Sequence, residues 1–331
     1  MACTQPRKAW KYGLHPSGKV KLTFKDPGPE YEVQEVPCGK CVSCKLDYSR
    51  EWATRVSHEM QVRNIGCFLT LTISDAHMVK ESFVYDGETY PPHSVYKRSV
   101  QLFLKRLRKK ISVVRVNPET GRKKRYYQEF KYIACGEYGE KRLRPHYHVC
   151  IMGYDFPDKV FFKFSPSGEP LFRSAILEEL WPYGWSSLGE VNWQSAAYVA
   201  RYTFKKSKKR GDYELVNRHT GEITEVLPEF LMMSKGIGLR WWLKYSSDTD
   251  KDYLTVDGDK RVKVPRYYDK QREKKDPESL EMIKAERERK AKERVVENQD
   301  GIATVKSVQL KMLKRSYDED RNDEETDVLP V

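Results

Sequence analysis

The chain has 331 residues, a length that suits one large domain with extensions or two small domains. Hydrophobic residues make up 39% of the sequence and aromatic residues 12%, so we expect a packed core of roughly 150–200 residues with polar extensions. The formal net charge of +13 favours a polyanionic partner such as nucleic acid, although a basic protein without a special partner is the alternative. No stretch approaches the roughly 18 apolar residues of a membrane span, and residues 1–10 lack a signal-peptide core. We therefore expect a protein of a reducing cytoplasm with no membrane partner.

The N-terminal part of the chain carries a tight group of cysteines. Residues 1–37 are rich in Pro, Gly and Lys, which predicts an irregular segment. Cys38, Cys41 and Cys44 follow with two residues between neighbours, a spacing at which thiolates can share a soft ion. Cys3 is the candidate fourth ligand of a structural zinc site that would tie this segment to the next helix. An iron–sulfur cluster, which lacks a fourth nearby cysteine, and thiols without a metal are the alternatives.

Hydrophobic periodicity predicts the elements that follow. It indicates a helix from Asp47 to about Gln61, then a strand over Cys67–Ile73 with its threonines and its leucines on opposite faces. Residues 74–95 have the composition of a long loop. A basic helix comes next, and its apolar face carries Val100, Phe103, Leu104, Leu107 and Ile111. Either solvent or a DNA backbone is the partner of its other face, which carries Lys105, Arg106, Arg108, Lys109 and Lys110.

Two strands and another helix are predicted in the second third of the chain. Phe130–Glu137 and His146–Gly153 have strand character, and the short connection between them favours an antiparallel hairpin. Cys67, Cys135 and Cys150 fall on predicted strands and are expected in the core. Asn192 is suited to cap a helix that runs to about Lys206.

The sequence changes character beyond residue 245. Residues 270–294 are densely charged and helix-prone, and the acidic residues 318–327 predict disorder. We therefore expect three parts. They are a cysteine-containing segment with its helix over 1–60, a main domain over 61–245, and a charged, partly disordered appendage over 246–331.

The strongest chemical signal is the segment Arg144-Pro-His-Tyr-His148. Alternate side chains of a strand share a face, so His146 and His148 project together, about 7 Å apart. Glu137 ends the preceding strand of the hairpin and would bring a carboxylate beside them. Two imidazole nitrogens and one carboxylate oxygen suit Mg²⁺, Mn²⁺ or a similar ion that polarises a phosphodiester. The alternatives are two unrelated surface histidines and a zinc hydrolase site. Arg144, the first residue of this segment, is a candidate DNA contact.

A predicted helix downstream presents two tyrosines with cationic neighbours. At about 100° per residue, Tyr198, Tyr202 and Lys205 lie on one stripe, flanked by Arg201 and Lys206. A neutral phenol is a weak nucleophile, but nearby cations favour the phenolate and stabilise phosphate charge. We therefore predict two nucleophiles assisted by Lys205, with Arg201 and Lys206 as DNA contacts. Because Lys205 follows Tyr202 by one turn, Tyr202 is predicted to cleave first and Tyr198 to act in the second transfer. A packed aromatic stripe is the alternative, although burying the three cations would be costly.

These motifs occur together, and in this order they resemble those of the HUH endonuclease superfamily. Its members carry a His-hydrophobe-His strand and a Tyr-x-x-x-Tyr-x-x-Lys helix. Phe68-Leu-Thr-Leu-Thr72 is similar to the superfamily's first motif, and Gly136-Glu-Tyr-Gly139 to its acidic ligand segment. Val36-Pro-Cys-Gly-Lys-Cys-Val-Ser-Cys44, Lys235-Gly-Ile-Gly238 and Pro265-Arg-Tyr-Tyr-Asp-Lys270 further resemble segments of the replication initiation proteins of gokushovirus-type microviruses. The likeness covers roughly residues 1–270.

The resemblance implies an α+β fold of the HUH endonuclease type, with an antiparallel sheet of about five strands flanked by helices. It implies rolling-circle replication, in which the enzyme nicks replicative-form DNA at the viral origin, stays attached to the 5′ end through a tyrosine and rejoins the strand. Glu137, His146 and His148 would hold the ion, and Tyr198 and Tyr202 would be the nucleophiles. Arg201 stands where lysine is also familiar, which preserves the charge. The setting would be the cytoplasm of an infected bacterial host, whose helicase and polymerase are candidate partners. No Walker-type Gly-x-x-x-x-Gly-Lys loop of an ATPase appears in the sequence.

Two other functions fit part of the sequence. A non-catalytic, zinc-stabilised nucleic-acid-binding protein would explain the cysteines and the charge, but it leaves the two tyrosines without a role. A metallonuclease that uses water as the nucleophile would need the tyrosines only to position DNA. A covalent protein–DNA adduct separates the nicking and joining enzyme from both.

Overall fold

The computed structural model describes residues 3–15, 20–139, 144–165, 167–201, 214–216, 221, 223–256, 258 and 260–293. Within these residues the chain forms two compact units, one within Met1–Tyr48 and the other within Ser49–Arg289. None of the helices described below combines the length and the apolarity that crossing a lipid bilayer requires. The domain boundaries predicted at residues 60 and 245 stay predictions.

The described residues contain both helices and strands. The helices are α1 Val42–Arg63, α2 Lys97–Lys110, α3 Ala175–Leu180, α4 Trp193–Arg201, α5 Leu239–Tyr245, α6 Arg266–Lys275 and α7 Pro277–Glu293. The strands are β1 Arg7–Leu14, β2 Val20–Thr23, β3 Val33–Val36, β4 Gly66–Thr72, β5 Phe83–Tyr85, β6 Glu88–Tyr90, β7 Val113–Val116, β8 Lys123–Tyr126, β9 Lys131–Tyr138, β10 Pro145–Met152, β11 Val160–Phe164, β12 Pro170–Arg173, β13 Ser186–Gly189, β14 Glu214–Val216, β15 Ile223–Glu225, β16 Phe230–Met233, β17 Tyr253–Val256 and β18 Lys260–Lys263.

The N-terminal unit contains a three-stranded antiparallel sheet in the order β2-β1-β3. The prediction that residues 1–37 are irregular is therefore wrong. These strands lie largely at the surface, with Ala9 as the buried exception, so they carry no long alternation of apolar and polar residues. Backbone pairing is assisted by an ion pair of 2.8 Å between Lys11 Nζ and Glu32 Oε1. The cysteines that follow this sheet belong to the same unit.

A seven-stranded antiparallel sheet forms the centre of the larger unit, in the order β11-β12-β13-β4-β10-β9-β16. The α+β class is as predicted, but the count of about five strands is wrong. The additional pairing comes from strands of only four or five residues, whose alternation is too brief to separate from loop sequence. The predicted hairpin is present as β9 and β10.

Both faces of the central sheet are covered, and β10 shows why its sequence is apolar at nearly every position. Tyr147, Val149 and Ile151 are fully buried on the face covered by α2. Cys150 and Met152 are fully buried on the other face, where α1 and α4 pack. Burial of each such side chain stabilises the fold by about 1.5–3 kcal/mol, which fixes the register of the strand. The face of the two histidines therefore lies against α4.

The helix predictions differ in how far they hold. α1 begins earlier than predicted, at Val42. The predicted apolar face of α2 is buried, except that Ile111, directly after the helix, is only partly buried. The predicted cap of α4 is present, since Asn192 Oδ1 accepts a hydrogen bond of 2.7 Å from Ser195 N. The described part of α4 ends at Arg201, and its predicted continuation to Lys206 lies outside the described residues.

The segment 74–95 is not one long loop. It contains a turn of 3-10 helix at Asp75–His77 and the small hairpin of β5 and β6. Asp86 and Gly87 join these strands with φ values of 52° and 74°. Two left-handed residues in succession make the tight turn that matches strand twist, and Asp-Gly is a sequence signal for it. This signal marks a hairpin that hydrophobic periodicity missed.

Two of the short motifs near the C-terminal end meet around α1. Gly238 has φ of +80°, and a Cβ built there would lie 2.6 Å from Tyr268 Oη, so only glycine fits. Gly238 N donates to Glu59 Oε2 at 2.7 Å, and Tyr268 Oη lies 2.8 Å from His58 Nδ1. Residues 253–268 of the predicted appendage thus contribute side chains to a buried cluster with Trp241 and Trp242. The helix-prone character of residues 270–294 is confirmed by α6 and α7, and the predicted disorder of 318–327 lies outside the described residues.

Candidate metal centres

The register of β9 and β10 sets the first group of ligands. His146 is directly opposite Glu137, and His148 is two residues further along the same face. The Nε2 atoms of His146 and His148 each lie 2.7 Å from Glu137 Oε1. One potential ligand atom from each of the three residues lies within 4.8 Å of the others. The structure therefore brings together the three predicted ligands of the divalent ion.

Each of the two imidazoles has a hydrogen-bond partner at Nδ1, on the side of the ring opposite the candidate metal position. His148 Nδ1 lies 3.2 Å from Thr70 Oγ1 on the neighbouring strand β4, where Thr70 is its cross-strand partner. His146 Nδ1 lies 3.1 Å from the backbone oxygen of Arg144, an acceptor that requires a proton on Nδ1. A proton on Nδ1 leaves the Nε2 lone pair of a neutral imidazole free for a cation, and such partners of metal-bound histidines are common. Thr70 was not among the predicted site residues, although the alternation of β4 put its threonines on one face.

The carboxylate of Glu137 is buried, with 2% of the residue exposed. Burial alone would raise the pKa of this carboxyl, but His146 and His148 outweigh that effect and hold its pKa well below its usual range. Among the described residues no hydrogen-bond partner reaches the second oxygen, Oε2. A buried carboxylate oxygen without a partner is costly, and a bound cation would remove that cost. The donor set therefore fits a divalent ion.

Of the two predicted nucleophiles, Tyr198 lies in the described part of the chain, and its side chain reaches this centre. Ala196, Val199 and Ala200 bury one face of α4 against the sheet, which turns Tyr198 toward β10. The Tyr198 hydroxyl donates to Glu137 Oε1 at 2.9 Å and lies 3.4 Å from His148 Nε2. Its ring meets that of His148 edge to face, with centroids 5.0 Å apart. A phenol oxygen thus contacts two of the three candidate ligands of this centre, Glu137 and His148.

The other predicted catalytic and DNA-binding residues divide into two groups. Tyr202, Lys205 and Lys206 lie outside the described residues, and so does the side chain of Arg201. Arg144 is described: its guanidinium donates to Asp75 Oδ1 at 2.6 Å and to the backbone oxygen of Ile73 at 3.4 Å. It is held beside the ligand strand while one third of its side chain stays exposed.

An exposed aromatic residue adjoins the centre on the other side of β4. The backbone oxygen of Trp185 accepts hydrogen bonds from Thr72 N at 2.8 Å and from Thr72 Oγ1 at 3.0 Å, and Thr72 is the cross-strand partner of His146. The Arg173 guanidinium lies 4.3 Å from the centroid of the Trp185 ring, and the ring of Phe162 is 6.4 Å away. Trp185 was not among the predicted site residues, because it comes beside Thr72 only through the pairing of β4 with β13.

The second group of ligands is formed by the four predicted cysteines. Ligand atoms of Cys3, Cys38, Cys41 and Cys44 all lie within 4.8 Å of one another. The Cys3 sulfur is 3.6 Å from that of Cys38 and 3.7 Å from that of Cys41. Backbone N–H groups of Lys40 and Cys41 donate to Cys38 Sγ at 3.4 and 3.2 Å. Four sulfurs in one place, with peptide donors pointing at them, suit a tetrahedral soft ion.

The electrostatics of this group also point to a cation. The backbone N–H of Lys40 lowers the pKa of the Cys38 thiol. Burial acts to raise the pKa of Cys41, but hydrogen bonds from Cys44 N and Thr4 outweigh it and bring this pKa to about 6. Burial and the neighbouring sulfurs raise the pKa of Cys44 to about 12. Cys41 and Cys44 can therefore be thiolates together only if a positive ion offsets their mutual repulsion. By contrast, Cys67, Cys135 and Cys150 are buried in the core, as predicted.

Comparisons with known proteins agree with this arrangement of motifs. Residues 66–207 match the model of a family of replication-associated proteins of the ORF2 type. The chain is 33% identical to the replication-associated protein ORF2 of Spiroplasma virus 4, over 90% of this chain and 89% of that protein. It is 29% identical to the replication-associated protein VP4 of Bdellovibrio phage phiMH2K, over 88% and 84% respectively. The replication-associated protein ORF4 of Chlamydia phage 1 is 24% identical over 70% of this chain and 52% of its own length.

No solved structure matches the chain. The identity to the Spiroplasma virus protein extends over most of both sequences, and the family model spans the strand β4, both candidate metal ligand strands and α4. The chain therefore belongs to the ORF2 family of phage replication-associated proteins.

Proposed function

We propose that the protein is an endonuclease of the HUH type that nicks one DNA strand and becomes joined to the new 5′ end through a tyrosine. One observation carries the proposal: the Tyr198 hydroxyl donates to the same Glu137 oxygen that both histidine Nε2 atoms approach. A metal at these ligands and a phosphate bound to it would lie next to the phenol. The HUH fold itself is part of this proposal, which the antiparallel sheet and the ligand hairpin support.

Glu137, His146 and His148 would hold one divalent ion, Mg²⁺ or Mn²⁺. When bound, such an ion polarises the phosphodiester and stabilises the charge that develops during cleavage. Two nitrogens and one oxygen leave further coordination positions for the substrate. Thr70 and the Arg144 carbonyl keep the imidazoles pointed at the ion.

In the cleavage step the tyrosine oxygen attacks phosphorus and the bond from phosphorus to the 3′ oxygen breaks. The phenolic proton is lost from the tyrosine, a proton is gained by the departing 3′ oxygen, and the 5′ phosphate remains as a phosphotyrosine ester. Rejoining reverses these bonds when a 3′ hydroxyl attacks the ester. Tyr198 and Tyr202 are the two nucleophiles, with Lys205 beside Tyr202 and with Arg144, Arg201 and Lys206 contacting DNA.

The biological role follows from the family. The three relatives are named replication-associated proteins of phages, so the chain takes part in phage replication. The substrate would be the viral origin, as replicative-form duplex and as single strand, inside an infected bacterium. Host helicase and polymerase are the candidate partners for strand displacement and synthesis.

The four cysteines would hold one structural zinc ion in the N-terminal unit. Thiolates at this spacing are typical zinc ligands, and four of them leave no open position for a substrate. The ion would stabilise the turn that joins β3 to α1 and would take no part in strand cleavage.

Two simpler functions make different predictions. A non-catalytic DNA-binding protein forms no adduct and cuts nothing. A hydrolytic metallonuclease cuts but leaves a free 5′ phosphate, because water is its nucleophile. The position of the Tyr198 hydroxyl favours the covalent enzyme over both.

The test uses the full-length protein, Mn²⁺ and an oligonucleotide that carries the phage origin, with the product separated on a denaturing gel. The wild-type protein should give a shifted covalent band that EDTA prevents. Tyr198→Phe and Tyr202→Phe should each retain some single-turnover nicking, and the double variant should form no adduct, since phenylalanine keeps the packing and removes only the oxygen. Tyr96→Phe is a matched control, because that phenol belongs to the opposite face of the sheet, where Tyr147 Oη accepts from Tyr96 N.

A double variant that still cuts and leaves a free 5′ phosphate would establish the hydrolytic mechanism. A double variant that still forms the adduct would place the nucleophile elsewhere. Full nicking by a variant that lacks both His146 and His148 would remove the metal assignment.

A further inference from the structure

A two-stranded ribbon with a strongly basic composition extends from the larger unit between α2 and β9. β7 and β8 pair only with each other, and all eight of their residues are exposed. Between Ser112 and Tyr127 the sequence holds the cations Arg115, Arg122, Lys123, Lys124 and Arg125, against the single acid Glu119. A short hairpin exposed on both faces has little apolar burial to stabilise it. Its conformation and charge therefore call for an explanation outside the fold.

The turn and the base of the ribbon are nonetheless well ordered. Asn117 Oδ1 accepts hydrogen bonds from the N–H groups of Glu119 and Thr120, both at 2.9 Å, and the turn closes at Gly121, where φ is +65°. At the base, Arg125 donates to Ser112 Oγ at 2.7 Å, and Ser112 Oγ donates to the carbonyl of Lys109 in the last turn of α2. The ribbon is thus fixed to the end of the basic helix.

The cations of the ribbon repel one another, although Arg115 and Lys124 each lie over the ring of Tyr126, at 5.3 and 5.4 Å from its centroid. Arg115 lies directly opposite Lys124, and like charges in that position repel each other. Within the described part of the chain no carboxylate forms an ion pair with any of the five cations. Lys105, Lys109 and Lys110 are also exposed on α2, although Lys110 pairs with Glu179. Exposed cations are therefore present both on α2 and on the ribbon fixed to its end.

We propose that this ribbon binds duplex DNA by entering a groove next to the site of nicking. The DNA major groove is about 12 Å wide and admits a two-stranded β-ribbon, and four residues per strand span roughly 13 Å. Cations on both strands of the ribbon can then meet phosphates on both walls of the groove. The choice of DNA as the partner rests on the nicking function proposed above, whereas the need for a polyanion rests on the charges alone.

The ribbon also has a defined place relative to the candidate metal centre. β8 of the ribbon ends at Tyr126, β9 starts at Lys131, and Glu137 follows six residues later near the far end of β9. At about 3.4 Å per residue, the end of β9 next to the ribbon lies roughly 20 Å from Glu137 along the strand. With 3.4 Å per base pair, the bound duplex segment would lie about six base pairs from the nick. Such a contact would position the enzyme on the duplex without touching the scissile phosphate.

The test compares two variants that lose the same charge, from +13 to +10. The ribbon variant is Arg115→Gln/Lys123→Gln/Lys124→Gln. The matched control is Lys270→Gln/Lys274→Gln/Lys284→Gln, three exposed lysines of α6 and α7. Fluorescence anisotropy with a 30-base-pair duplex of arbitrary sequence and with one of its single strands measures affinity over a range of salt concentrations.

The ribbon variant should bind the duplex at least tenfold more weakly than wild type, and its salt dependence should fall by about 2–3 in the log–log slope. The control variant should change duplex affinity by less than twofold. The affinity of the ribbon variant for the single strand should fall much less than its affinity for the duplex.

Two results would overturn the proposal. Equal losses of affinity in the two triple variants would mean diffuse electrostatic attraction, and equal losses on duplex and single strand would mean a general phosphate contact. A thermal melt checks folding, and Lys123→Gln/Lys124→Gln gives a milder variant.

Nicking of a short origin single strand by the wild-type protein is measured separately. Its absence would refute the proposed function without affecting the comparison of duplex binding. Wild-type nicking together with unchanged duplex binding by the ribbon variant would refute only the ribbon.

Discussion

A hydrogen bond with Thr70 holds the Nδ1 side of the His148 imidazole. Thr70 Oγ1 lies 3.2 Å from Nδ1, and Nε2 on the other side of the ring faces Glu137. Thr70 and Thr72 share one face of β4, and each is opposite one of the candidate ligands: Thr70 faces His148 and Thr72 faces His146. Their hydroxyls differ in role, since that of Thr72 donates to the backbone oxygen of Trp185. The role of the Thr70 hydroxyl can therefore be tested by mutation, with Thr72 of the same strand as the control.

We predict that Thr70→Val weakens Mn²⁺ binding and slows adduct formation by roughly 10–100-fold, the usual effect of removing a partner behind a metal-bound histidine. Valine keeps the shape of threonine and removes only the hydroxyl, so the fold should survive. Isothermal titration with Mn²⁺ and the rate of adduct formation measure the two effects. Thr72→Val, which leaves both imidazole partners in place, should keep metal affinity within about threefold of wild type. Equal effects in the two variants would contradict the positioning role.

Sequence reasoning found the candidate ligands because each depends on local geometry. A period of two puts His146 and His148 on one face, and a short connection puts Glu137 on the adjacent strand. Thr70 and Trp185 were missed because they reach the site through the pairing of β4 with β10 and β13. Pairing partners that are distant in the sequence leave no signal in either strand. The residues of a site can thus be predicted more readily than the groups that hold them.

At the scale of whole elements, the difference between success and failure is the strength of the local pattern. α2 and β10 have long apolar patterns and lie where periodicity predicted them. β1 to β3, β7 and β8 are largely exposed, so no apolar face marks them. The seven-stranded order of the sheet follows from backbone pairing across the chain, which periodicity does not encode.

The aromatic side chains at the β11–β12–β13 edge suggest where a single strand of DNA would lie. The exposed rings of Trp185 and Phe162 stack toward each other, and the Arg173 guanidinium covers Trp185. Bases stack on such rings whatever their sequence, with about 1–3 kcal/mol for each base. Because Trp185 adjoins Thr72, the cross-strand partner of His146, a strand stacked here would lead to the candidate metal centre.

We predict that Trp185→Ala raises KM for cleavage of a single-stranded origin oligonucleotide about tenfold and changes kcat much less, because stacking holds the strand in ground state and transition state alike. Steady-state kinetics separate the two constants. Phe164→Ala is the matched control, since Phe164 is an exposed aromatic residue of the same edge, 64% exposed, and its ring contacts that of Phe161. An equal rise of KM in both variants would mean that the edge responds to any loss of an aromatic ring. A fall of kcat alone in Trp185→Ala would instead implicate the tryptophan in the chemical step.

For the molecule as a whole, the main feature is a pair of candidate metal centres with different chemistry in different units. The four cysteines lie within Met1–Tyr48, and the two histidines with Glu137 lie within Ser49–Arg289. Thiolates select zinc, whereas imidazole with carboxylate also accepts harder ions and leaves positions open. An ion held by the four cysteines would be enclosed, whereas an ion held by Glu137 and the two histidines would keep positions open for a substrate. The two centres should therefore respond separately to reagents and to mutation.

We predict that the purified protein holds one tightly bound equivalent of zinc, and that Cys41→Ser loses it. Structural zinc contributes about 10–16 kcal/mol of binding free energy in small domains, so its loss should unfold the N-terminal unit at room temperature. Metal analysis and a thermal melt measure these effects, and Mn²⁺ titration should show that the Glu137 centre of the variant still binds its ion. Cys67→Ala is the control, because Cys67 is buried in the core of the larger unit, and it should keep the full equivalent. A mercurial reagent should release the zinc and leave Mn²⁺ binding intact, since only thiolates hold the first ion.

Zinc retained by Cys41→Ser, or iron in place of zinc in the wild-type protein, would contradict the assignment. Loss of Mn²⁺ binding in Cys41→Ser would show that the two centres are not independent.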